Sequence, residues 1–349
     1  MTATQDRAET RDVSTPLMTL AHVSQVFGTK AGPITAVDDV SLAINPGEVL
    51  CLVGESGSGK TTAARLAAGL AKPSKGQVEF GGRDIWGLPK AEFKQFRRSV
   101  QYVHQDPYAS LNPIHSIEQT LVAPLQVHKL VKGKRDAARR AAELLTEVDL
   151  TPPENFLGMY PHQLSGGQRQ RASVARALTL DPKIIIADEA TSMLDVSIRI
   201  SMLAMLGKLR DDLGVGFLFI THDLAIAKYF GWHGQTAVMY LGRIVEFGPT
   251  PDIINAPQHP YTKALIEAIP EPDPDLTKTK SARGLRSMDI PSLAALPSGC
   301  TFHPRCPAFE EGLCDAKVPP LVDILPAHAA ACLVAARDAG VAVGADRRA

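Results

Sequence analysis

Residues 48–62 read Glu48-Val-Leu-Cys-Leu-Val53-Gly54-Glu55-Ser56-Gly57-Ser58-Gly59-Lys60-Thr61-Thr62. The run from Glu48 to Val53 is apolar, short and β-prone, as expected of a strand buried on both faces. The eight residues from Gly54 to Thr61 fit G-x-x-x-x-G-K-[ST] without a mismatch. Glycines let the chain fold back so that successive N–H groups point inward at phosphate oxygens, and the helix that follows aims its positive dipole end at the same point. Lys60 adds a mobile charge for the β- and γ-phosphates, and the Thr61 hydroxyl is placed to ligate Mg²⁺. An Ala/Leu-rich helix is predicted over Thr61–Leu70.

Outward from this loop the chain alternates strands and helices. Buried strands are expected at Val100–Val103, Lys183–Ala187 and Val215–Ile220, and amphipathic helices at Asp136–Val148 and Gln168–Leu180. The alternation indicates an α/β sheet, in which ligands sit at the carboxyl ends of strands. Two acids stand at such an end, Asp188-Glu189. Asp188 is positioned to hold Mg²⁺ through its water shell, and strand alternation sends Glu189 the other way, toward the γ-phosphate, to polarise the attacking water. Thr221-His222-Asp223 follows the next strand in the same manner, which makes His222 a hydrogen-bond donor to the γ-phosphate.

The 349 residues hold 37 basic and 37 acidic side chains, so the formal net charge is zero. That balance argues against a nucleic-acid partner. No run approaches the ~18 apolar residues needed to span a bilayer, and the polar first 16 residues lack a signal-peptide core. A cytosolic chain that serves a membrane by docking onto other subunits is expected. Of five cysteines, Cys51 lies in the apolar strand and reads as a small core residue. Cys300, Cys306, Cys314 and Cys332 cluster near the C-terminus with spacing C-x5-C-x7-C-x17-C. In a reducing cytosol such a set reads as a metal or cofactor site before it reads as disulfides; zinc, an iron–sulfur cluster and free thiols all stay open on spacing alone.

Leu164-Ser165-Gly166-Gly167-Gln168-Arg169-Gln170-Arg171 resembles the signature sequence of ABC-type ATPases. Its physics is a second anion site, since Ser165, Gly166 and Gly167 open a helix whose free N–H groups face outward. The resemblance implies further roles: Gln105 as the glutamine that contacts Mg²⁺ and water and senses the membrane subunit, Ser192-Met-Leu-Asp195 as the loop bearing Asp195 at the dimer contact, His222 as the switch histidine, and Phe27 as the aromatic that stacks on adenine. Ala190 stands where the family commonly has Pro, and Met193 where it commonly has Ala; neither change removes a ligand or a charge. Gln105-Asp-Pro-Tyr-Ala-Ser-Leu-Asn-Pro113, Tyr240-Leu-Gly-Arg243, His259-Pro-Tyr-Thr262 and Gly299-Cys-Thr-Phe-His-Pro-Arg-Cys-Pro307 resemble the oligopeptide/dipeptide importer branch.

That resemblance implies a P-loop NTPase (RecA-like) α/β core with antiparallel β and α-helical subdomains. With the composition, which marks a disordered N-terminus (1–16), a Pro-rich linker (269–290) and an Ala/Gly-rich tail that frays after Val334, it divides the remainder into a nucleotide-binding domain (17–268, helical subdomain about 106–180) and a small Cys-containing extension (291–349). It further implies ATP and Mg²⁺, a [4Fe–4S] cluster in some members, and head-to-tail pairing with a second ABC ATPase, a copy or a homologous chain. Two transmembrane permease subunits complete the machine at the cytoplasmic face of the membrane, and an extracytoplasmic solute-binding protein acts indirectly. The cargo implied is a di- or oligopeptide, with oligosaccharides and nickel as related cargoes. A soluble, non-transport ABC ATPase is the rival of another class; the single ATPase unit and the absence of a long heptad segment or charge excess speak against it.

Overall fold

The computed structural model describes residues 15–30, 32–269 and 284–343. Twelve strands run in chain order: β1 Met18–Thr29, β2 Gly32–Ile44, β3 Val49–Val53, β4 Lys75–Phe80, β5 Arg83–Asp84, β6 Val100–Val103, β7 Ile184–Asp188, β8 Gly216–Thr221, β9 Gln235–Tyr240, β10 Arg243–Pro249, β11 Val322–Leu325 and β12 His328–Ala330. They form two sheets, an antiparallel one in the order β2-β1-β4-β5 and an eight-stranded one in the order β11-β12-β10-β9-β3-β8-β7-β6. The pairs β3–β8, β3–β9, β7–β8 and β6–β7 are parallel.

Strand alternation decides the layers. Val49, Cys51, Val53, Ile185, Ala187, Phe217 and Phe219 point to one face, where they meet Ala172, Ala175, Met202, Leu206 and Phe230 from the helices Gly166–Leu178, Val196–Leu213 and Leu224–Phe230. Leu50, Leu52, Ile184, Ile186, Leu218 and Ile220 point to the other, against the helix Lys60–Ala67 and the inner face of the antiparallel sheet at Leu20, Val23, Val37 and Val40. All residues of β3, β7 and β8 are buried. Each large apolar side chain taken from water stabilises the sheet by about 1.5–3 kcal/mol. The central strands are therefore fixed from both sides, and their carboxyl ends form a rigid rim. Cys51 is fully buried, and burial pushes its thiol up to about 12, as suits a core residue.

Between Pro107 and Leu178 the chain is helical, with helices at Pro107–Ser110, Ile117–Val127, Lys134–Glu147, Glu154–Leu157 and Gly166–Leu178. Ile117–Val127 starts with a Ser116/Gln119 capping box, which satisfies two of the otherwise unpaired terminal N–H groups.

The C-terminal residues do not form a separate sheet. β12 pairs antiparallel with β10 (Glu246 opposite Ala330), so they extend the edge of the central one. A buried carboxylate fixes this join. Glu246 takes hydrogen bonds from the backbone N–H groups of Gln258 (2.6 Å) and His259 (3.0 Å) and lies 2.7 Å from His328 Nε2. The expectation of a frayed tail after Val334 is corrected: Leu333–Asp338 is helical, capped by Cys332 and anchored by fully buried Ala336. The expected disorder over residues 1–16, but for Thr15 and Pro16, and most of the expected linker fall outside the described residues. The linker's last part does not: Leu285 packs against the C-terminal cluster, and Arg286 stacks over Phe309 at 4.1 Å. No described helix is long and apolar enough to cross a membrane.

Candidate functional site

The phosphate loop lies between β3 and the helix Lys60–Ala67. Gly57 and Gly59 adopt φ of +78° and +104°, which only glycine reaches without strain. A Cβ on Gly54 would stand 2.1 Å from the Met239 carbonyl oxygen, and one on Gly59 would stand 2.2 Å from that of Ala36. The glycines are thus required by neighbouring backbone as well as by the turn. Ser56 is exposed at the tip, and Ser58 is buried, its carbonyl accepting the Gly242 N–H at 2.8 Å. Lys60 is 4% exposed and curls back over the loop, its Nζ donating to the carbonyls of Gly54 (2.7 Å) and Glu55 (2.8 Å). Burial lowers the Lys60 pKa, opposed by Glu189, Asp188 and Glu55. Thr61 and Thr62 follow on the first helical turn.

At the carboxyl end of β7, Asp188 accepts hydrogen bonds from Thr61 Oγ1 (3.2 Å) and from the Tyr102 hydroxyl (2.6 Å). Burial raises its pKa, against these two bonds. The structure thus brings together Thr61 and Asp188, the two expected Mg²⁺ ligands that lie 127 residues apart in the chain. A hydroxyl and a carboxylate are hard oxygen donors of the kind Mg²⁺ takes alongside phosphate oxygens and water, so the pair fits the ion.

Glu189 does point away from Asp188, but simple alternation is not the cause. Its φ of +45° takes the chain out of the strand, and its backbone is pinned by N–H to Ile220 O (3.1 Å) and by Ser192 N–H to its own carbonyl (3.0 Å). A non-glycine residue held there stores about 1–3 kcal/mol of strain, which the surrounding structure must supply. The side chain is aimed between Gln105, whose Nε2 donates to Oε2 at 3.1 Å, and His222, whose Nδ1 lies 3.5 Å from Oε1. Two expected catalytic residues from two other segments, Gln105 and His222, therefore converge on the carboxylate of a third, Glu189. Gln105 thus makes its hydrogen bond to Glu189, beside the Thr61–Asp188 pair.

Ser165 caps the helix Gly166–Leu178 in a capping box with Gln168: the Gln168 N–H donates to Ser165 Oγ at 3.3 Å and the Ser165 N–H to Gln168 Oε1 at 2.9 Å. Ser165 and Gly166 are exposed, whereas Gly167 is buried with no room for a side chain, since a Cβ would lie 2.7 Å from Ile198 Cγ2. The hydrogen bonds of Ser165 and Gln168 go to each other and leave the phosphate loop of the same chain untouched. Asp195 stands at the N-cap position of the helix Val196–Leu213 without a side-chain capping bond, beside the exposed apolar residues Met193 and Val196 (65% and 70% exposed). Phe27, 45% exposed, lies on β1 and touches none of these groups through a hydrogen bond or ring contact among the described residues.

The four C-terminal cysteines do gather, lining one pocket with His259, Phe302 and His303. Cys332 Sγ accepts the Ala335 N–H at 3.4 Å. Backbone N–H groups of Phe302 and Ala308 point at Cys300 and Cys306 in the same way. Burial pushes the Cys300 thiol up to about 12 and Cys306 to about 11, and raises Cys332. Among the described residues no three or more His, Cys, Asp or Glu side chains are arranged to hold a single metal ion.

Sequence reasoning missed Tyr102, Tyr261 and Arg305. Tyr102 sits inside a predicted strand and carries no motif. Tyr261 and Arg305 lie in stretches whose local pattern says nothing of the phosphate loop they touch.

Comparison with known proteins agrees with this geometry. A family model described as ABC transporter matches residues 37–192, and one described as oligopeptide/dipeptide transporter, C-terminal region, matches residues 245–314. The chain is 43% identical over 319 residues to a Brucella ovis protein named for peptide import and ATP binding, covering 91% of this chain and 98% of the relative. It is 41% identical over 309 residues to the oligopeptide transport ATP-binding protein OppF of Salmonella typhimurium, covering 88% and 90%. Among solved structures it resembles the dimeric, post-hydrolysis state of the ATP-binding cassette MJ0796 bound to ADP and Pi, with TM-score 0.61 and 30% identity over 67% of this chain and 98% of that one.

Proposed function

The chain belongs to the ABC transporter family as one of its ATP-binding and ATP-hydrolysing subunits, and from that premise we propose that it powers a di- or oligopeptide importer from the cytoplasmic face of the membrane. The observation that carries the enzymatic half is the convergence of Gln105 and His222 on Glu189, next to the Thr61–Asp188 pair and the Lys60 loop. Peptide cargo is supported by the C-terminal match and by the names of the relatives.

In this reading the backbone N–H groups of Gly54 to Thr62 bind the phosphates, Lys60 leaves its own loop carbonyls for the β- and γ-phosphate oxygens, and Phe27 stacks on adenine. Thr61 and Asp188 would hold Mg²⁺, which would supply positive charge to offset that of the triphosphate. Glu189, held by Gln105, accepts a proton from the attacking water, and His222 hydrogen-bonds the γ-phosphate. Neither the phosphate loop nor the Ser165–Gln168 helix start surrounds a triphosphate alone. The exposed signature residues, Asp195 and the apolar Met193 and Val196 support head-to-tail pairing with a second cassette, so that ATP binding itself supplies the energy of closure. The exposed Ile114, close in sequence to Gln105, supports docking of a membrane subunit beside that glutamine, two such permease subunits and an extracytoplasmic receptor completing the importer. We retain the division into a nucleotide-binding domain over 17–268, a linker over 269–290 and an extension from 291.

Deleting the gene should abolish uptake of labelled oligopeptides by whole cells, and the wild-type chain should restore it while the Glu189→Gln chain does not. Undiminished peptide uptake in the deletion strain would remove the cargo from this reading.

We further propose that the pocket of four cysteines holds a [4Fe–4S] cluster. Four soft thiol donors share one buried site, and N–H groups point at three of the sulfurs, as stabilised thiolates require. Such a cluster binds its four thiolates at four different irons, so a single-ion arrangement is not what it needs. Protein purified without oxygen is expected to be brown, with iron and acid-labile sulfide that Cys306→Ser loses. Colourless, iron-free protein would rule the cluster out.

A further inference from the structure

Glu55, the second residue of the phosphate loop, is held by groups from the C-terminal quarter of the chain. Arg305 forks onto its carboxylate, Nη1 to Oε2 at 2.8 Å and Nη2 to Oε1 at 3.1 Å, across 250 positions of sequence. The Arg305 side chain is 5% exposed and lies between the rings of Tyr240 and Phe302, with its Cζ 5.8 and 5.7 Å from their centroids. The Tyr261 hydroxyl accepts the Glu55 N–H at 2.9 Å. The Glu55 carbonyl accepts Lys60 Nζ at 2.8 Å and the Ser58 N–H at 3.2 Å. Carboxylate, N–H and carbonyl of this one residue are therefore all engaged, and the first two are held by residues from beyond 260.

The chemistry calls for such a hold. Glu55 is the one acid in a loop whose task is to receive a polyanion, and an unpaired carboxylate there repels phosphate. A planar guanidinium in a two-bond fork both neutralises that charge and fixes its direction, which a point charge does not. Tyr240, Tyr261 and Phe302, with mutual ring contacts of 4.6 to 5.4 Å, wall the Arg305 side of the pair, while the Glu55 side chain stays 24% exposed. Arg305 immediately precedes Cys306, so whatever orders the cysteine pocket also places this guanidinium.

We propose that Arg305 is a positioning residue for nucleotide binding, acting through Glu55 to neutralise the phosphate loop's own carboxylate and hold the loop's first turn open to phosphate. This rests on the nucleotide reading above. The extension thereby becomes part of the ATP site without touching ATP. Because Arg305 meets neither the attacking water's base nor the Asp188 pair, its loss acts on ground-state binding rather than on the chemical step.

The test uses the full-length chain, with Mg²⁺ and a fluorescent ribose-labelled ATP for affinity and steady-state hydrolysis for the split between KM and kcat. Arg305→Ala is expected to raise both Kd and KM by about tenfold or more while kcat changes by less than about threefold. Arg305→Lys, which keeps the charge but loses the fork, should fall between. In a Glu55→Ala background the same Arg305→Ala change should alter Kd by less than about twofold, because its partner is gone. A role confined to folding the extension would instead lower the unfolding temperature and weaken binding equally in both backgrounds, and that additivity overturns the proposal. Should Arg305→Ala fail to fold, Arg305→Gln removes the charge while keeping a hydrogen-bonding side chain, and wild-type affinity in that variant overturns the proposal equally. A wild-type chain that binds no MgATP overturns the nucleotide reading and this inference with it. Tight binding by both wild type and Arg305→Ala overturns this inference alone.

Discussion

Glu189→Gln is expected to lower kcat for ATP hydrolysis by about 10²–10⁴-fold, the usual contribution of a positioned general base, while MgATP affinity stays within about threefold. The substitution keeps size and shape. The backbone at φ +45° remains pinned by Ile220 and Ser192, and the new amide oxygen still accepts from Gln105 Nε2. What disappears is the ability to take a proton from water. The phosphate loop, Lys60, Thr61 and Asp188 are untouched, so binding should persist. If, as proposed, bound ATP closes two cassettes and hydrolysis releases them, the variant should also accumulate as an ATP-dependent dimer on size-exclusion chromatography. Wild-type turnover in Glu189→Gln would remove this residue from the role of base and pass it to another group.

Gly59→Ala should eliminate MgATP binding and destabilise the fold together. At φ +104° an alanine carries about 1–3 kcal/mol of backbone strain. Its Cβ also falls 2.2 Å from the Ala36 carbonyl oxygen on β2, a neighbour that cannot swing aside as a side chain would. Overlap of this kind in a packed site adds about 1–3 kcal/mol. Relief requires moving the loop or β2, and either movement disturbs the ring of N–H groups and the helix start at Lys60. Denaturant unfolding and titration with labelled ATP read the two effects separately. A variant of native stability and affinity would mean that the loop geometry described above is not the one that binds phosphate.

These two residues differ in how they were read. Gly59 was legible because a phosphate loop is a contiguous pattern: an apolar strand, glycines at fixed offsets and a helix start, all set by local backbone sterics. Glu189 was legible as the second of two acids ending a strand, but its direction was not. Alternation would have turned it by strand geometry, whereas a left-handed residue turns it in fact. That conformation is imposed by the Ile220 carbonyl on the next strand and the Ser192 turn, neither of which has a signature in sequence. The contact of Gln105 with Glu189 joins residues 84 positions apart and has no signature in local sequence either.

The sequence by itself determined the strands buried on both faces, the phosphate loop, the paired acids at a strand end and the signature helix start, since each is written within about ten residues in hydrophobic period, glycine placement or capping chemistry. Tertiary structure alone decided that Tyr102 would meet Asp188, that the C-terminal residues would lengthen the central sheet through β12, that four cysteines would share a pocket, and that Arg305 would clamp Glu55. The Tyr102–Asp188 and Arg305–Glu55 contacts join residues 86 and 250 positions apart. Nothing in a local pattern specifies which distant segment arrives at a given surface. That choice is made by sheet order and by the burial of apolar faces, which fix where every segment lies only when the whole chain has folded.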